Sequence, residues 1–383
     1  MIDSKKLLWE AGTYNKSMLF PEDTDLTESQ RDILELPIND DFMIVGGPGT
    51  GKTVMAVYRA KGAVEESDYK PVLLLVYNNP LKEYISMALN MIDASNVDVS
   101  TYHQWIFDIY REYQFGSVPK VDDEFDWGKV TVAISRIGKR YSHIVVDEAQ
   151  DFSEPLIKLL NLVSYNHTYF IDPNQSIEEG KTCVVDVIRK FFTSDKVKEL
   201  NWNFRNTNEI RDLARLFCVK GEPPISIASG TKPVAVRCTP GDFDELNRTM
   251  LSYIKRYSGK NIGIITNSRM QTRIYDFLNE NLSHTNVQMH KPQTAHRLNF
   301  SKPGVKIVSF GTMKGLDFDV VLIPLFDKID SHHDEVIDNN RVYVSITRTH
   351  GDLYLFYWGD RISSKKIDTM SKLRANSHLL DWI

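Results

Sequence analysis

Long apolar runs are missing from this 383-residue chain; the longest, such as Val72–Val76, are strand-sized. A bilayer-crossing helix needs roughly 18 apolar residues, so no membrane association is expected. Cysteine is scarce. Cys183, Cys218 and Cys238 are far apart, follow no metal-ligand spacing and cannot all pair, which points to reduced thiols in a cytoplasmic protein. The opening stretch MIDSKKLLWEAG lacks the charged-then-apolar pattern of a secretory signal. Glycine (20) and proline (15) stay near average usage, which excludes collagen-like repeats and a long disordered chain. A basic excess is missing too. The net charge of -5 does not advertise nucleic-acid binding, but residues 1–50 alone carry ten acidic and four basic side chains. The remainder holds 42 basic against 41 acidic, and a neutral body can still contain a basic groove.

What is present is an ordinary globular composition, 42% apolar and 25% charged, with length for two domains. From about residue 42, short β-rich runs alternate with amphipathic stretches. Phe42–Val45, Val72–Tyr77, Val97–Thr101, His143–Val146 and Tyr169–Ile171 read as strands, with helices at Thr53–Glu66 and Pro80–Ile92. The second half repeats the rhythm at Val234–Cys238, Ile262–Thr266, Val305–Ser309, Val320–Pro324 and Leu353–Tyr357. Its helices are expected at Asp242–Tyr257, Arg269–Glu280 and Asn339–Thr347. Such alternation predicts an α/β fold of two lobes, each a mostly parallel sheet with helices on both faces. The expected division is an N-terminal extension (1–25), a first lobe (26–199) and a second lobe (200–383). The segment Trp105–Arg140, rich in aromatics and acidic residues, breaks the rhythm and reads as a small helical insertion.

Gly46-Gly47-Pro48-Gly49-Thr50-Gly51-Lys52-Thr53 matches G-x-x-x-x-G-K-[ST] between a strand and a helix. Glycines let backbone N–H groups curl around a polyphosphate, and the following helix N-terminus adds positive potential. Lys52 is suited to the β- and γ-phosphates and the Thr53 hydroxyl to Mg²⁺. A glycine-rich turn is the bland alternative, but the strand and helix supply the context the motif requires. Nucleoside triphosphate binding is expected. Further on, the apolar run of His143–Val146 ends in Asp147-Glu148-Ala149-Gln150. Asp147 is suited to the Mg²⁺ shell and Glu148 to deprotonating an attacking water. A solvated acidic turn is the ordinary alternative, and a metabolite kinase would share the phosphate loop. The Asp-Glu-x-Gln run favours hydrolysis.

These motifs belong to an ordered series, from about residue 26 to 357, that resembles the UvrD/Rep-type superfamily-1 helicases. Leu26–Gln30 resembles the Q motif, which implies that Gln30 reads adenine. LLLVYNNPL (Leu73–Leu81) and VSTYHQW (Val99–Trp105) resemble motifs Ia and Ib. By that resemblance Tyr77, Asn78, Thr101, His103 and Trp105 are candidates to touch nucleic acid, each with packing or capping as its ordinary alternative. YFIDPNQS (Tyr169–Ser176) resembles motif III and implies a γ-phosphate link through Gln175. LNWNFRN (Leu200–Asn206) resembles motif IV, implying Arg205 at the γ-phosphate and Phe204 near adenine. SFGTMKGLDFDVV (Ser309–Val321) resembles motif V, whose intact Lys314–Phe318 core places Asp317 in the nucleotide set. RVYVSITRT (Arg341–Thr349) resembles motif VI and implies a second arginine finger, Arg348. The resemblance thus implies two RecA-like P-loop NTPase lobes hydrolysing ATP with Mg²⁺ on a single-stranded nucleic-acid track, DNA in preference to RNA.

Three departures from the family stand out. Only 44 residues separate His103 from Asp147 and roughly a hundred separate Arg205 from Ser309, so the 2B insertion is absent and 1B reduced. Motif III continues Ile177-Glu178-Glu179-Gly180 where aromatics are usual, and Gly311 stands where a histidine is common. Loss of a stacking aromatic removes about 1–3 kcal/mol per base. The catalytic parts are kept and the strand-gripping parts are weakened. A second function therefore stands beside the motor: a nucleotide-driven switch whose client is a protein partner such as a nuclease or defence effector. The acidic, apolar-studded segment Met1–Asp25 is its candidate contact, while the basic Arg361–Arg374 stretch is a weaker candidate for nucleic acid.

Overall fold

The computed structural model describes residues 26–67, 70–92, 94–175, 184–282, 285–290, 298–299, 302–329, 335–359 and 369–383. The N-terminal segment, the motif III continuation, Cys183, His332-His333 and most of the basic stretch lie outside these residues. The described chain divides into two compact units. The first holds 26–46, 51–172 and 184–200, and the second 47–50, 173–175 and the residues from 201 onward.

The first unit begins with α1 (Glu28–Leu34), started by a capping box in which Gln30 N donates to Thr27 Oγ1 and Thr27 N to Gln30 Oε1. It continues with β1 (Phe42–Gly46), α2 (Lys52–Glu66), β2 (Val72–Val76), α3 (Asn79–Met91), β3 (Asp98–Thr101) and α4 (Tyr102–Glu112). Next come β4 (Lys120–Val121), β5 (Glu124–Phe125), α5 (Trp127–Ile134), β6 (Tyr141–Val146), α6 (Glu154–Val163), β7 (Ser164–Ile171), α7 (Val184–Arg189) and β8 (Val197–Leu200). Six strands form one sheet in the order β3-β2-β6-β7-β1-β8, every pairing parallel. Both faces are covered, so the strands are apolar throughout and successive residues feed opposite cores. Met43, Leu75, Ile144 and Ile171 pack with α4, α5 and α6, while Ile44, Leu74, Val145 and Phe170 pack with α1, α2 and α3.

The expected helical insertion is corrected in one respect. Between α4 and α5 the chain makes an antiparallel hairpin, β4 with β5. Asp122 and Asp123 form its turn with φ of 49° and 66°, a left-handed conformation that aspartate tolerates better than most residues. The acidic cluster is a turn.

The second unit contains β9 (Trp202–Thr207), α8 (Asn208–Arg215), β10 (Ile225–Ala228), β11 (Val234–Arg237), α9 (Phe243–Ile254), β12 (Asn261–Thr266) and α10 (Ser268–Asn281). It ends with β13 (Val287–Met289), β14 (Gly304–Ser309), β15 (Phe318–Ile323), α11 (Glu335–Ile346), β16 (Thr349–Tyr357), α12 (Thr369–Ala375) and β17 (Asp381–Trp382). Its main sheet is again wholly parallel, in the order β13-β14-β12-β15-β16-β11-β17. Ile265, Val308, Val321 and Leu353 pack with α8 and α11; Ile264, Ile307, Leu322 and Phe356 pack with α9 and α10. Both units therefore have the parallel, doubly covered α/β architecture of RecA-like lobes. The short strands β8, β9 and β10 were not among those expected from the sequence; β8 and β9 carry polar residues in their interiors.

One core histidine couples the first unit to pH. His143 on β6 is 1% exposed, with Nδ1–H donating to Ile38 O at 2.9 Å and Nε2 accepting from Thr168 Oγ1 at 2.9 Å. Burial, assisted by the positive charge of Arg59, pushes its pKa down to about 3. The unfolded chain takes up this proton near the ordinary histidine value, the folded chain only near 3. The unfolded state therefore binds more protons in between, and stability falls as pH falls through that window. His143→Gln, which keeps a donor and an acceptor, should remove a slope of up to about 1.4 kcal/mol per pH unit between pH 6 and 4. Urea titrations of both proteins measure it; identical pH slopes would show that His143 does not carry the effect.

Candidate nucleotide site

The phosphate loop leaves the C-terminal end of β1 at Gly46 and enters α2 at Lys52. Gly49 and Gly51 have φ of 73° and 85°, in the left-handed region where glycine is at ease. A Cβ on Gly51 would lie 2.6 Å from Gln30 Nε2. Thr50 Oγ1 donates to Gly47 O at 2.9 Å, tightening the turn, and Pro48 and Thr50 are buried. Gly51, the residue before α2, supplies no side-chain cap. That geometry turns the first N–H groups of the helix toward the loop, the usual setting for an anion.

In the sheet order β6 neighbours β7 and β7 neighbours β1, so residues just past these strands share one edge with the loop. Thr53 Oγ1 donates to Asp147 Oδ2 at 2.7 Å, and Lys52 Nζ lies 3.7 Å from Asp172 Oδ2. Both aspartates are fully buried. Burial, then the charge of Glu148, pushes the Asp147 carboxyl well above its ordinary range against the pull of Thr53 and Lys52. A buried carboxylate oxygen paired with a hydroxyl suits Mg²⁺, a hard cation that takes few protein ligands and keeps water or phosphate for the rest. Among the described residues no group of three or more His, Cys, Asp or Glu forms a dedicated metal cage.

Glu148 sits at φ 53°, a left-handed conformation that costs of order 1 kcal/mol outside glycine. A network holds it there: Glu148 N donates to Asp147 Oδ1 at 3.0 Å, and Gln150 Nε2 donates to Glu148 Oε2 at 2.5 Å. Gln150 Oε1 in turn accepts from Asp172 N at 3.0 Å. Asp172 and Gln150 were absent from the sequence-derived set. Their signal was a polar residue closing an apolar strand and a glutamine two positions past an acidic pair.

In the second unit, Arg205 Nε lies 3.3 Å from Asp317 Oδ2, and His350 Nε2 lies 3.2 Å from the same oxygen. Burial alone would raise the Asp317 carboxyl; the charges of Arg205 and His350 outweigh it and hold it well below the usual range. Arg348 is 1% exposed and donates through Nε to Val344 O (3.1 Å), through Nη1 to Leu316 O (3.3 Å) and through Nη2 to Thr347 Oγ1 (3.5 Å). It is therefore a buried side chain and not a surface ion-pairing one. The loop tip, 47–50, groups with this unit. Gly49 O accepts from Phe204 N at 2.9 Å, and a Cβ on Gly49 would lie 2.6 Å from that of Arg205. Phe204 is half-buried and Gln175 is buried.

The candidate strand contacts are dispersed in role. Asn78 Oδ1 accepts from Leu81 N at 2.9 Å and Thr101 Oγ1 from Gln104 N at 3.4 Å, so both cap helices. Tyr77 is half-buried; His103 is exposed and lies 3.8 Å, ring to ring, from Tyr102. Trp105 is a correction. It is 3% exposed in the first unit's core and donates through Nε1 to Tyr141 OH at 3.0 Å, leaving no indole face for a base.

Residues 30–181 match a family model described as an AAA domain, a span holding the phosphate loop and the Asp147-Glu148 turn. The first unit is thus a nucleotide-binding P-loop domain. No curated protein matches the chain. Among solved structures it is similar to the C-terminal domain of a possible DNA helicase from Lactobacillus plantarum WCFS1, at 20% identity and a TM-score of 0.36 over 47% of this chain and 98% of that one. It is also similar to PRRSV helicase, at 13% identity and a TM-score of 0.45 over 87% of this chain. There the likeness spans 55% of the helicase chain.

Trp105→Phe should keep the packing, lose one buried hydrogen bond and cost about 1 kcal/mol in chemical denaturation. Its affinity for single-stranded DNA, read by fluorescence anisotropy, should stay within twofold of wild type. A tenfold loss at unchanged stability would return Trp105 to the binding surface.

Proposed function

We propose that this chain is a cytoplasmic, Mg²⁺- and ATP-dependent motor of the UvrD/Rep helicase kind, acting on single-stranded nucleic acid, DNA in preference to RNA. The observation that carries the reading is the convergence of Lys52, Thr53, Asp147 and Asp172 beside a strained, hydrogen-bonded Glu148.

The chemistry follows from those groups. Backbone N–H groups of Gly47–Gly51 and the start of α2 receive the polyphosphate, and Lys52 exchanges its Asp172 partner for phosphate oxygens. Thr53 and Asp147 would hold Mg²⁺, which when bound supplies charge neutralisation at the phosphates. Gln150 fixes the Glu148 carboxylate, so that Glu148 accepts the proton of the attacking water while Asp147 remains on the cation side. Gln30 and Phe204 are assigned to the adenine. Arg205, Arg348 and Gln175 are assigned to the terminal phosphate, where a guanidinium is worth about 10³–10⁵ in rate. A cycle of binding, hydrolysis and release then drives stepping on a strand.

A second reading, a nucleotide-driven switch acting on a protein partner such as a nuclease or effector, draws on the burial of Trp105 and the capping roles of Asn78 and Thr101. These remove or occupy three of the five candidate strand contacts.

Lys52→Ala should abolish binding of a fluorescent ATP analogue. Glu148→Gln should bind it normally and lose at least 10²-fold in turnover, the order expected for a catalytic base. Normal turnover in Glu148→Gln would end the base assignment. ATPase rates with and without single-stranded DNA or RNA separate the readings. At least tenfold stimulation supports the motor, and a flat response together with stimulation by a co-purifying protein supports the switch.

A further inference from the structure

The two arginines assigned to the terminal phosphate stand far apart in sequence, yet buried amides tie their segments together. Asn206 is 2% exposed and donates through Nδ2 to both Thr347 O (3.1 Å) and Thr349 O (2.7 Å), the carbonyls on either side of Arg348. Its Oδ1 accepts from Asn203 Nδ2 at 3.0 Å. Asn203, 3% exposed, spends its own Oδ1 on the backbone N–H groups of Arg205 and Asn206, both at 2.9 Å. Every hydrogen-bonding atom of the Asn206 amide therefore has a partner. A second tie runs outside the first: Asp317 meets Arg205 on one side and His350, next after Thr349, on the other. Phe318 N donates to Arg348 O at 2.9 Å, fastening the same turn to β15.

We infer that Asn206 is a positioning residue that holds Arg205 and Arg348 in one register, so that the two guanidinium groups act as a single device. This rests on the proposed role of those arginines at the terminal phosphate. The physical case is one of fixed geometry. The amide spans from β9 to the turn between α11 and β16, and a buried amide with all its partners met has one low-energy orientation. Charge stabilisation in phosphoryl transfer is lost steeply with small misplacement: a shift of about 1 Å can cost 10²-fold. Asn206 itself touches no reacting atom in this scheme; it acts through the arginines.

The test is a double-mutant cycle read as kcat per active site, with sites counted by binding of a fluorescent ATP analogue. Asn206→Ala should lower kcat 10- to 100-fold and leave nucleotide affinity within threefold, because the Lys52 side of the site is untouched. In an Arg205→Ala background the same substitution should add less than threefold, since the device is already disabled. A purely structural amide would lower melting temperature and the count of active sites while kcat per site stayed within threefold of wild type. That result, or a full additional loss in the Arg205→Ala background, overturns the inference. Should Asn206→Ala not fold, Asn206→Ser keeps one hydroxyl donor for one of the two carbonyls. An intermediate kcat per site then supports the inference, and a wild-type value overturns it. Wild-type hydrolysis by both Arg205→Ala and Arg348→Ala would instead strike down the arginine roles, and the coupling with them.

Discussion

A carboxylate with no access to water, 2.7 Å from a threonine hydroxyl, is the constraint around which the first unit is organised. Buried unpaired charge is costly, and in this setting the Asp147 carboxyl is driven toward protonation. The Thr53 hydroxyl and the charge of Lys52 offset part of that cost. The strain at Glu148 belongs to the same arrangement: its left-handed turn points the chain from β6 across to the Gln150 bridge and so to Asp172 at the end of β7.

The second unit solves a different problem. Arginine keeps its charge in any surroundings, so a buried arginine must be met by oxygen. Arg348 is met by backbone and hydroxyl oxygens and Arg205 by a carboxylate shared with His350. Carbonyl partners hold a guanidinium without cancelling its charge, whereas the Asp317 carboxylate does cancel part of it. The charges of both arginines act on the Asp317 carboxylate, and the Asn203–Asn206 pair joins their two segments.

Much of the architecture was legible because parallel sheets covered on both faces demand apolar strands. Val72–Val76 and Ile144–Val146 announce themselves, and the phosphate loop needs glycines where φ is positive. The spacing of the loop, the Asp147-Glu148 pair and the arginine motifs is likewise written in the chain. Less legible were β8, β9 and β10; in β9 the buried Asn203 and Asn206 are spent on hydrogen bonds instead of on an apolar core. Trp105 shows the limit of a motif: its position in VSTYHQW carries the family pattern, but the indole went to the core and to Tyr141.

Local chemistry along the chain was enough to point to an α/β nucleotide-binding fold and to locate a glycine-rich loop and an acidic pair at the end of a strand. These depend on backbone conformations and side-chain types at short spacing, which one dimension can record. The partners of each charge were decided in three dimensions. Asp172 beside Lys52, Gln150 against Asp172, and Asn206 against Thr347 and Thr349 bring together residues 22 to 143 positions apart. Pairings at that range depend on which strands lie side by side, and sheet order is settled by packing both faces at once.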